Sequence, residues 1–367
     1  MKAVRDSRFE FLRILSMLMI IMQHPLERCM PDGFYGMISA PFSFNYVCAL
    51  ALMIWGQLGV MLFVMISAWF MADRKGISGK KVILLLLQTC TICIGMMLVF
   101  AVVHPESLSL KLMIKELLTP VNKNHYWFVT TFLAFYCSVP LLQFLVQKMD
   151  DRQLRSACIV VVCLIPLYNY LYENPGSTWA DFCCIFLVTA YLKRTPDNWL
   201  RKNRRLFPLG LLIITGTLIM YKLLFEPKLG TDLMYTLFKA LRGRTLLLLL
   251  TAFGLFYCVE AMKPFFLKWV NTLGSAMFGV YLLHENYLIR GEENGSSFLW
   301  NTVLRIDEKY LSSSTFLLQY IGIVLVVFAS CIVIELLRQN LVERWYRSGK
   351  LITKLGNWFD TVYGKIL

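Results

Sequence analysis

Residues 9–26 read FEFLRILSMLMIIMQHPL, an apolar segment close to the ~20 residues that a helix needs to cross a bilayer. Besides Glu10 near its start, two ionisable side chains interrupt it, Arg13 and His24. A charged group near the centre of a membrane helix costs roughly 2.5–3.5 kcal/mol, so such residues usually serve a function. Eleven positions along a helix return to within about 20° of the starting direction and rise roughly 16 Å. The segment therefore predicts one helix face that carries both side chains at different depths.

The composition excludes a soluble protein, because 57% of the residues are hydrophobic, 16% are charged and the mean hydropathy is +0.59. Nine further apolar runs lie at 46–72, 82–103, 126–147, 156–172, 179–192, 206–225, 236–259, 269–289 and 315–337. We predict an all-α integral membrane protein, a bundle of about ten transmembrane helices. Two of the runs also fit a re-entrant segment: 156–172 is short and contains Pro166, and 236–259 begins with Lys239, Arg242 and Arg244.

The basic residues indicate the topology, because Lys and Arg collect in short cytoplasmic loops. With the N-terminus inside, the inner segments carry Lys2, Arg5 and Arg8; Arg74, Lys75, Lys80 and Lys81; Lys148, Arg152 and Arg155; Lys193, Arg194, Arg201, Lys202, Arg204 and Arg205; Lys263 and Lys268. We predict that both termini are cytoplasmic. The net charge of +14 then reflects topology and attraction to anionic membrane lipid. Nucleic-acid binding would need a basic soluble face, and the sequence predicts none.

The chain divides into a transmembrane bundle, residues 1–340, and a tail, residues 341–367. In the tail, apolar side chains recur at helical spacing while lysines occupy other positions; the apolar set is Leu351, Leu355, Trp358, Phe359, Val362 and Ile366. This pattern predicts an amphipathic helix on the cytoplasmic membrane surface. The eleven cysteines lie almost entirely within apolar runs, which favours packing and predicts no metal site.

Three of the four histidines lie at predicted outer helix ends: His24, His125 and His284. Histidine is suited to proton transfer near neutral pH, and Glu27 is close enough along a helix to orient His24. We therefore expect His24 to be a catalytic base, with His284 as a second candidate. The alternative is an interfacial histidine that only bonds a backbone carbonyl.

Arg13 lies nearer the cytoplasmic end, beside Arg8 and Glu10. Its guanidinium either pairs with Glu10 at helical spacing or binds a phosphate or carbonyl of a ligand from the cytoplasm; we favour the ligand. The loop that carries Arg74, Lys75, Lys80 and Lys81 faces the same compartment, as does the basic cluster from Lys193 to Arg205. Both could contact an anionic ligand, although the bias of positive charge toward the inside also explains them.

Four segments, in order, resemble the membrane acyltransferase-3 family. The opening pattern is Arg8-Phe9-Glu10-x-x-Arg13 followed by His24. The second segment runs from Gly59 to Ser67, the third is Tyr126-Trp127-Phe128 with Pro140, and the fourth runs from Ser275 to His284. Ala68 stands where the family commonly has glycine. The resemblance extends from about residue 8 to residue 340.

This resemblance implies an enzyme of the bacterial plasma membrane that moves an acyl group, usually acetyl from acetyl-CoA, to a hydroxyl of an exported or lipid-linked glycan. His24 would be the general base or a transient acyl carrier, assisted by Glu27 and His284. The cofactor-binding candidates are Arg13, Arg8, Arg74 and Lys75, and the acceptor-binding candidates are Tyr126, Trp127 and Glu285. The implied partners are acyl-CoA, membrane lipid, the glycan acceptor and either a second copy or the glycan-synthesis machinery. No metal is implied.

The main alternative is a transporter or flippase for a glycan or a small anionic solute, in which Arg13 and the outer histidines line a path. Transporters often contain internal repeats, and the two halves of this sequence show no convincing similarity. Another membrane transferase, such as a glycan polymerase, is the third possibility. A transporter would bind its solute without consuming acetyl-CoA, which distinguishes it from an acyltransferase.

Overall fold

The computed structural model describes residues 5–29, 33–74, 76–118, 126–171, 178–242, 246–291, 297–306 and 311–366. Within these ranges the chain is helical and contains no β-strand, which confirms the predicted all-α class. The helices are α1 (Ser7–Arg28), α2 (Gly33–Ser39), α3 (Phe44–Met71), α4 (Gly79–Val103), α5 (Leu110–Leu118), α6 (Trp127–Lys148), α7 (Asp151–Leu171), α8 (Thr178–Arg194), α9 (Trp199–Lys202), α10 (Leu209–Leu224), α11 (Glu226–Leu229), α12 (Thr231–Arg242), α13 (Leu246–Glu260), α14 (Lys268–His284), α15 (Tyr287–Arg290), α16 (Phe316–Arg338), α17 (Arg344–Arg347) and α18 (Lys350–Ile366).

Five helices are long and apolar enough to cross a membrane: α1, α3, α4, α6 and the segment Phe316–Arg347 that contains α16. A sixth span results if α12 and α13 count as one, and these two helices meet at an angle of 41°. The run 236–259 is therefore not the single straight helix predicted. Its first part, with Thr236 and Lys239, belongs to the amphipathic helix α12, which is inclined to the apolar helix α13. Helices α8 and α14 have only 17 residues each, so the ten-span count stays a prediction.

Helix α1 is enclosed by α3, α13, α14 and α16. Its closest neighbour is α3, where glycines allow the two backbones to approach. A Cβ atom added to Gly59 would lie 2.5 Å from the backbone oxygen of Ser16, and one added to Gly56 would collide with Gln23. Small residues at a helix interface permit this approach in membranes, where packing drives helix association. The contacts also show that α3 runs antiparallel to α1.

Helix α14 runs parallel to α1, as the contacts at both ends show. At the start of α1, the Ser7 hydroxyl accepts a hydrogen bond from Leu267 N at 2.8 Å, just before α14 begins. At the other end, His24 contacts His284. The two ends of the bundle are named here the Arg13 end and the His24 end. This parallel arrangement brings residues 260 positions apart in the sequence into one site.

The tail is helical, as predicted, and folds back onto the Arg13 end. Asp360 Oδ1 accepts a hydrogen bond from Gly79 N at 2.6 Å, at the first residue of α4. Tyr363 donates its hydroxyl hydrogen to the carbonyl oxygen of Cys137 on α6. The apolar residues divide between two environments. Phe359 packs on Gly79, whereas four of the predicted set are exposed: Leu351, Leu355, Trp358 and Val362. The location of the tail at the membrane surface stays a prediction.

Candidate functional site

Three ionisable side chains meet at the His24 end, from the last turns of α1 and α14. Nδ1 of His24 lies 3.0 Å from Nε2 of His284 and 3.2 Å from Oε1 of Glu285. His284 and Glu285 are fully buried, and His24 retains 9% of its surface exposed. The structure thus joins two predicted catalytic histidines with a carboxylate that the sequence assigned to acceptor binding.

Hydrogen bonds determine which nitrogen of each imidazole carries a proton. Nδ1 of His284 lies 2.7 Å from the carbonyl oxygen of Val280, which can only accept, so this nitrogen is a donor. In the neutral ring, Nε2 of His284 is then an acceptor, and Nδ1 of His24 donates to it. Nε2 of neutral His24 is left with its lone pair, and none of the contacts among the described residues engages it. His24 is therefore arranged as a base.

Glu285 is flanked by cations on the side away from His24. Its Oε2 atom lies 3.4 Å from Arg28 at the end of α1 and 3.6 Å from Arg290 in α15. Two guanidinium groups favour the ionised form of the Glu285 carboxylate. Sequence reasoning missed both arginines. The available signal was their position, because Arg28 is four residues after His24 and Arg290 six residues after His284.

Glu27, the predicted partner of His24, accepts a hydrogen bond from Nε2 of Gln23 at 2.6 Å. Gln23 is buried against Gly56 of α3. This contact ties Glu27 to the α1–α3 interface. The carboxylate positioned at hydrogen-bond distance from His24 Nδ1 is that of Glu285, which places Glu285 in the orienting position that the sequence assigned to Glu27.

The donor atoms of His24, His284 and Glu285 lie within 4.8 Å of one another, close enough for a metal ion to bind all three. The charge balance opposes this. Arg28 and Arg290 offset the negative charges of Glu285 and Glu27, so the site offers no net negative charge to attract a divalent cation. A shared proton satisfies the same atoms without added charge, and the cluster fits proton transfer better than metal binding.

Tyr126 is fully buried at the start of α6. Its hydroxyl donates to the carbonyl oxygen of Leu282 at 2.8 Å and accepts from Nδ2 of Asn286 at 2.8 Å. These bonds bracket the end of α14, so Tyr126 fixes the backbone that carries His284 and Glu285. A buried ring offers no face to a sugar, in contrast to the predicted stacking role. Its neighbour Trp127 is half-buried.

At the opposite end, Nη1 of Arg13 donates to Oε1 of Glu10 at 2.7 Å, which is one of the two roles the sequence left open. Glu10 is buried against Gly274 of α14, and the side chain of Arg13 remains 21% exposed. The pair leaves part of the guanidinium accessible. A ligand contact is therefore compatible with the ion pair, because arginine has five donors and this contact uses one nitrogen.

Arg8 has all its nitrogens engaged by the protein. Nε and Nη2 bond Asp6, while Nη1 donates to the carbonyl oxygens of Glu260 and Met262. This placement favours a role for Arg8 in joining α1 to α13 over the predicted contact with acetyl-CoA. Arg74 is exposed, whereas Lys75 and His125 lie outside the described residues.

The family model of an acyltransferase domain matches residues 6–336, which contain the entire His24 cluster and Arg13. No curated protein and no solved structure shows a significant match. The match covers most of the sequence and agrees with the resemblance carried by the four segments. The chain therefore belongs to the acyltransferase-3 family.

Proposed function

We propose that this membrane protein transfers an acetyl group from acetyl-CoA to a hydroxyl of an exported or lipid-linked glycan, with His24 as the general base. The observation that carries the proposal is the cluster in which His24 is hydrogen-bonded to His284 and lies 3.2 Å from the carboxylate of Glu285. It leaves the lone pair of His24 Nε2 available and supplies a carboxylate to stabilise the protonated ring. Acyl transfer to a hydroxyl needs a general base, and in this member of the acyltransferase family His24 supplies one.

In the proposed step, His24 Nε2 removes the proton from the acceptor hydroxyl as its oxygen attacks the thioester carbonyl carbon. The tetrahedral intermediate collapses with cleavage of the C–S bond. The imidazolium then returns its proton to the leaving thiolate, so that the products are an acetyl ester and free CoA. Glu285 stabilises the imidazolium, and the His284 nitrogen keeps His24 in the required tautomer. An acyl-imidazole intermediate on His24 is the second route.

The donor is proposed to enter at the Arg13 end. This end is basic, and Arg13 retains exposed donor atoms despite its pair with Glu10. Arg13 and His24 lie on one continuous helix, roughly 16 Å apart along its axis. An extended pantetheine arm along that face brings the thioester toward His24. We therefore assign the Arg13 end to the cytoplasm, where acetyl-CoA is found.

Helix contacts support the proposed ten crossings. At the Arg13 end, Gln143 of α6 donates to the carbonyl oxygens of Met71 and Arg74, and Arg194 of α8 donates to that of Val146. At the His24 end, Lys222 of α10 donates to the carbonyl oxygen of Ile38. Successive long helices therefore alternate in direction, and the basic loops fall at the Arg13 end. This pattern agrees with both termini being cytoplasmic.

The experiment uses membrane vesicles from cells that express the protein at matched levels. We expect His24→Gln to reduce transfer of radiolabelled acetyl from acetyl-CoA into alkali-labile ester by about 10²–10⁴-fold, the usual loss when a general base is removed. The control is His104→Gln, in a partly exposed histidine of the segment between α4 and α5. Near-normal transfer by a well-expressed His24→Gln protein would exclude His24 as the base.

A further inference from the structure

A cavity of about 660 Å³ opens at the Arg13 end, between the start of α4 and the tail. Its polar lining consists of Lys80 and Lys81 from α4, Arg344 and Arg347 from α17, and the hydroxyls of Ser78 and Ser348. The site lies at the opposite end of the bundle from the His24 cluster. Lys80 and Lys81 belong to the basic loop that the sequence offered as a contact for an anionic ligand, whereas Arg344 and Arg347 were not among the predicted site residues.

The cavity carries more positive charge than its surroundings compensate. Arg347 pairs with Glu343 at 3.2 Å, and Lys80 donates to the neutral hydroxyl of Thr353 at 3.2 Å. Within the described ranges, no carboxylate pairs with Lys81 or Arg344. Cations held together without counter-charges repel one another, so a bound anion would stabilise this arrangement.

The types of side chain point to phosphate. Guanidinium groups bind phosphate oxygens through paired, charge-assisted hydrogen bonds, lysine adds a point charge, and serine hydroxyls add neutral donors. A carboxylate ligand would use fewer of these donors. The cavity therefore fits a ligand with one or more phosphate groups.

The tail completes the site. Arg344 and Arg347 lie beyond residue 336, where the family match ends. Contacts between α18 and α4 hold the tail in place: Asp360 accepts from Gly79 N, and Gly356 packs on Lys80. Half of the cationic lining thus comes from a segment outside the family match, and the docked tail is what forms the cavity.

The cavity lies close enough to the bundle for the charges at the two places to interact. Lys81 interacts electrostatically with Arg74 and with Arg13. Arg13 begins the helix face that leads to His24. A ligand anchored by phosphates in the cavity would therefore lie at the entrance of the proposed donor path.

We propose that the cavity between α4 and the tail is a phosphate-binding site. Two molecules supply this chemistry at a cytoplasmic membrane surface: the nucleotide part of CoA and the headgroup of an anionic phospholipid. The first source rests on the proposed acetyl-CoA-dependent function, and the second does not.

The test uses purified full-length protein in nanodiscs. In one arm, discs of phosphatidylcholine alone receive CoA, and its dissociation constant is measured by calorimetry. In the other, discs that contain phosphatidylglycerol are used, and lipid retained on the protein is counted by native mass spectrometry. The variant is Lys81→Gln/Arg344→Gln. The matched control is Arg152→Gln/Arg155→Gln, which removes two exposed cations from the first turns of α7.

We expect the double variant, and not the control, to lose at least roughly tenfold in CoA affinity or to lose retained phosphatidylglycerol, because charge-assisted hydrogen bonds are removed. Loss of CoA affinity identifies the nucleotide, and loss of lipid identifies the headgroup. Unchanged CoA affinity together with unchanged lipid retention would overturn the proposal, as would wild-type protein that binds neither. Neither readout requires acetyl transfer, so failure of the proposed enzyme activity gives a different result.

Discussion

At the scale of single residues, the structure distinguishes two carboxylates near His24: Glu27, which the sequence predicted to orient it, and Glu285, which was assigned to acceptor binding. Glu285 lies 3.2 Å from His24 Nδ1, and Glu27 accepts a hydrogen bond from Gln23. A carboxylate that contacts the ring of a general base both orients it and stabilises its protonated form. The two residues therefore differ in their expected effect on the reaction.

We expect Glu285→Gln to lower the rate of acetyl transfer by at least roughly tenfold, since the amide keeps the shape and removes the charge that stabilises the imidazolium. Glu27→Gln, the matched control on the same helix as His24, should retain most of the rate. Initial rates at saturating acetyl-CoA would measure both. If Glu27→Gln were the more damaging change, the orienting role assigned to Glu285 would be wrong.

We expect Arg13 to have two roles. It stabilises the fold, because it pairs with the buried carboxylate of Glu10, and its exposed part binds acetyl-CoA. Removal of one partner from a buried pair costs up to about 3–5 kcal/mol; the partial exposure of Arg13 and the nearby Arg5 place the expected loss below that range. We therefore expect Arg13→Ala to lower the thermal unfolding temperature and to weaken acetyl-CoA binding.

The double variant Arg13→Ala/Glu10→Gln separates the two effects. The neutral amide that replaces the Glu10 carboxylate needs no counter-charge, so the unfolding temperature should recover, whereas acetyl-CoA affinity should not. Recovery of both properties would show that Arg13 acts only as the partner of Glu10.

At the scale of the helices, the close contact between α1 and α3 holds the catalytic face in place. A Cβ atom on Gly59 would lie 2.5 Å from the Ser16 carbonyl oxygen, which is backbone and cannot rotate away. Gly59→Ala should therefore separate the two helices and lower the unfolding temperature in detergent. Gly95→Ala in α4 is the control, because an added Cβ there meets no atom within 4 Å. Equal stability of the two variants would contradict this view of the interface.

Local sequence patterns predicted where the helices lie, but they did not predict which residues of different helices contact one another. The common face of Arg13 and His24 follows from spacing alone, since both lie on one helix. The pairing of His24 with His284 depends on two helices running parallel, which periodicity within either segment does not contain. Likewise, Glu285 follows His284 directly in the sequence, but only the position of α1 decides which imidazole it serves.

At the scale of the whole molecule, the tail shows a similar limit. Its amphipathic pattern predicted a helix, and the apolar residues suggested a single lipid-facing surface. The structure instead packs Phe359 against Gly79 and leaves Leu351, Leu355 and Trp358 exposed. A pattern of apolar residues cannot distinguish side chains that contact protein from side chains that contact lipid, because both environments are apolar.

The two ends of the bundle have different chemistry, and this difference predicts the direction of the reaction. Arg13, Arg74 and Lys81 interact electrostatically at one end, whereas the His24 cluster lies at the other. If acetyl-CoA enters from the cytoplasm, the acetyl group must cross much of the bilayer before it meets His24. The acceptor hydroxyl should then be reached from the opposite side.

Oriented vesicles test this arrangement. With radiolabelled acetyl-CoA confined to the cytoplasmic face, we expect label on glycan acceptor supplied at the opposite face, and no label when the His24→Gln variant replaces the wild-type protein. Supplying acceptor only on the cytoplasmic face should give little product, because the Arg13 end lacks a comparable base: within the described residues, the histidines other than His24 and His284 are limited to His104, which lies after α4. Equal labelling from the cytoplasmic face would mean that the acceptor is modified before export, and the cross-membrane path along α1 would have to be abandoned.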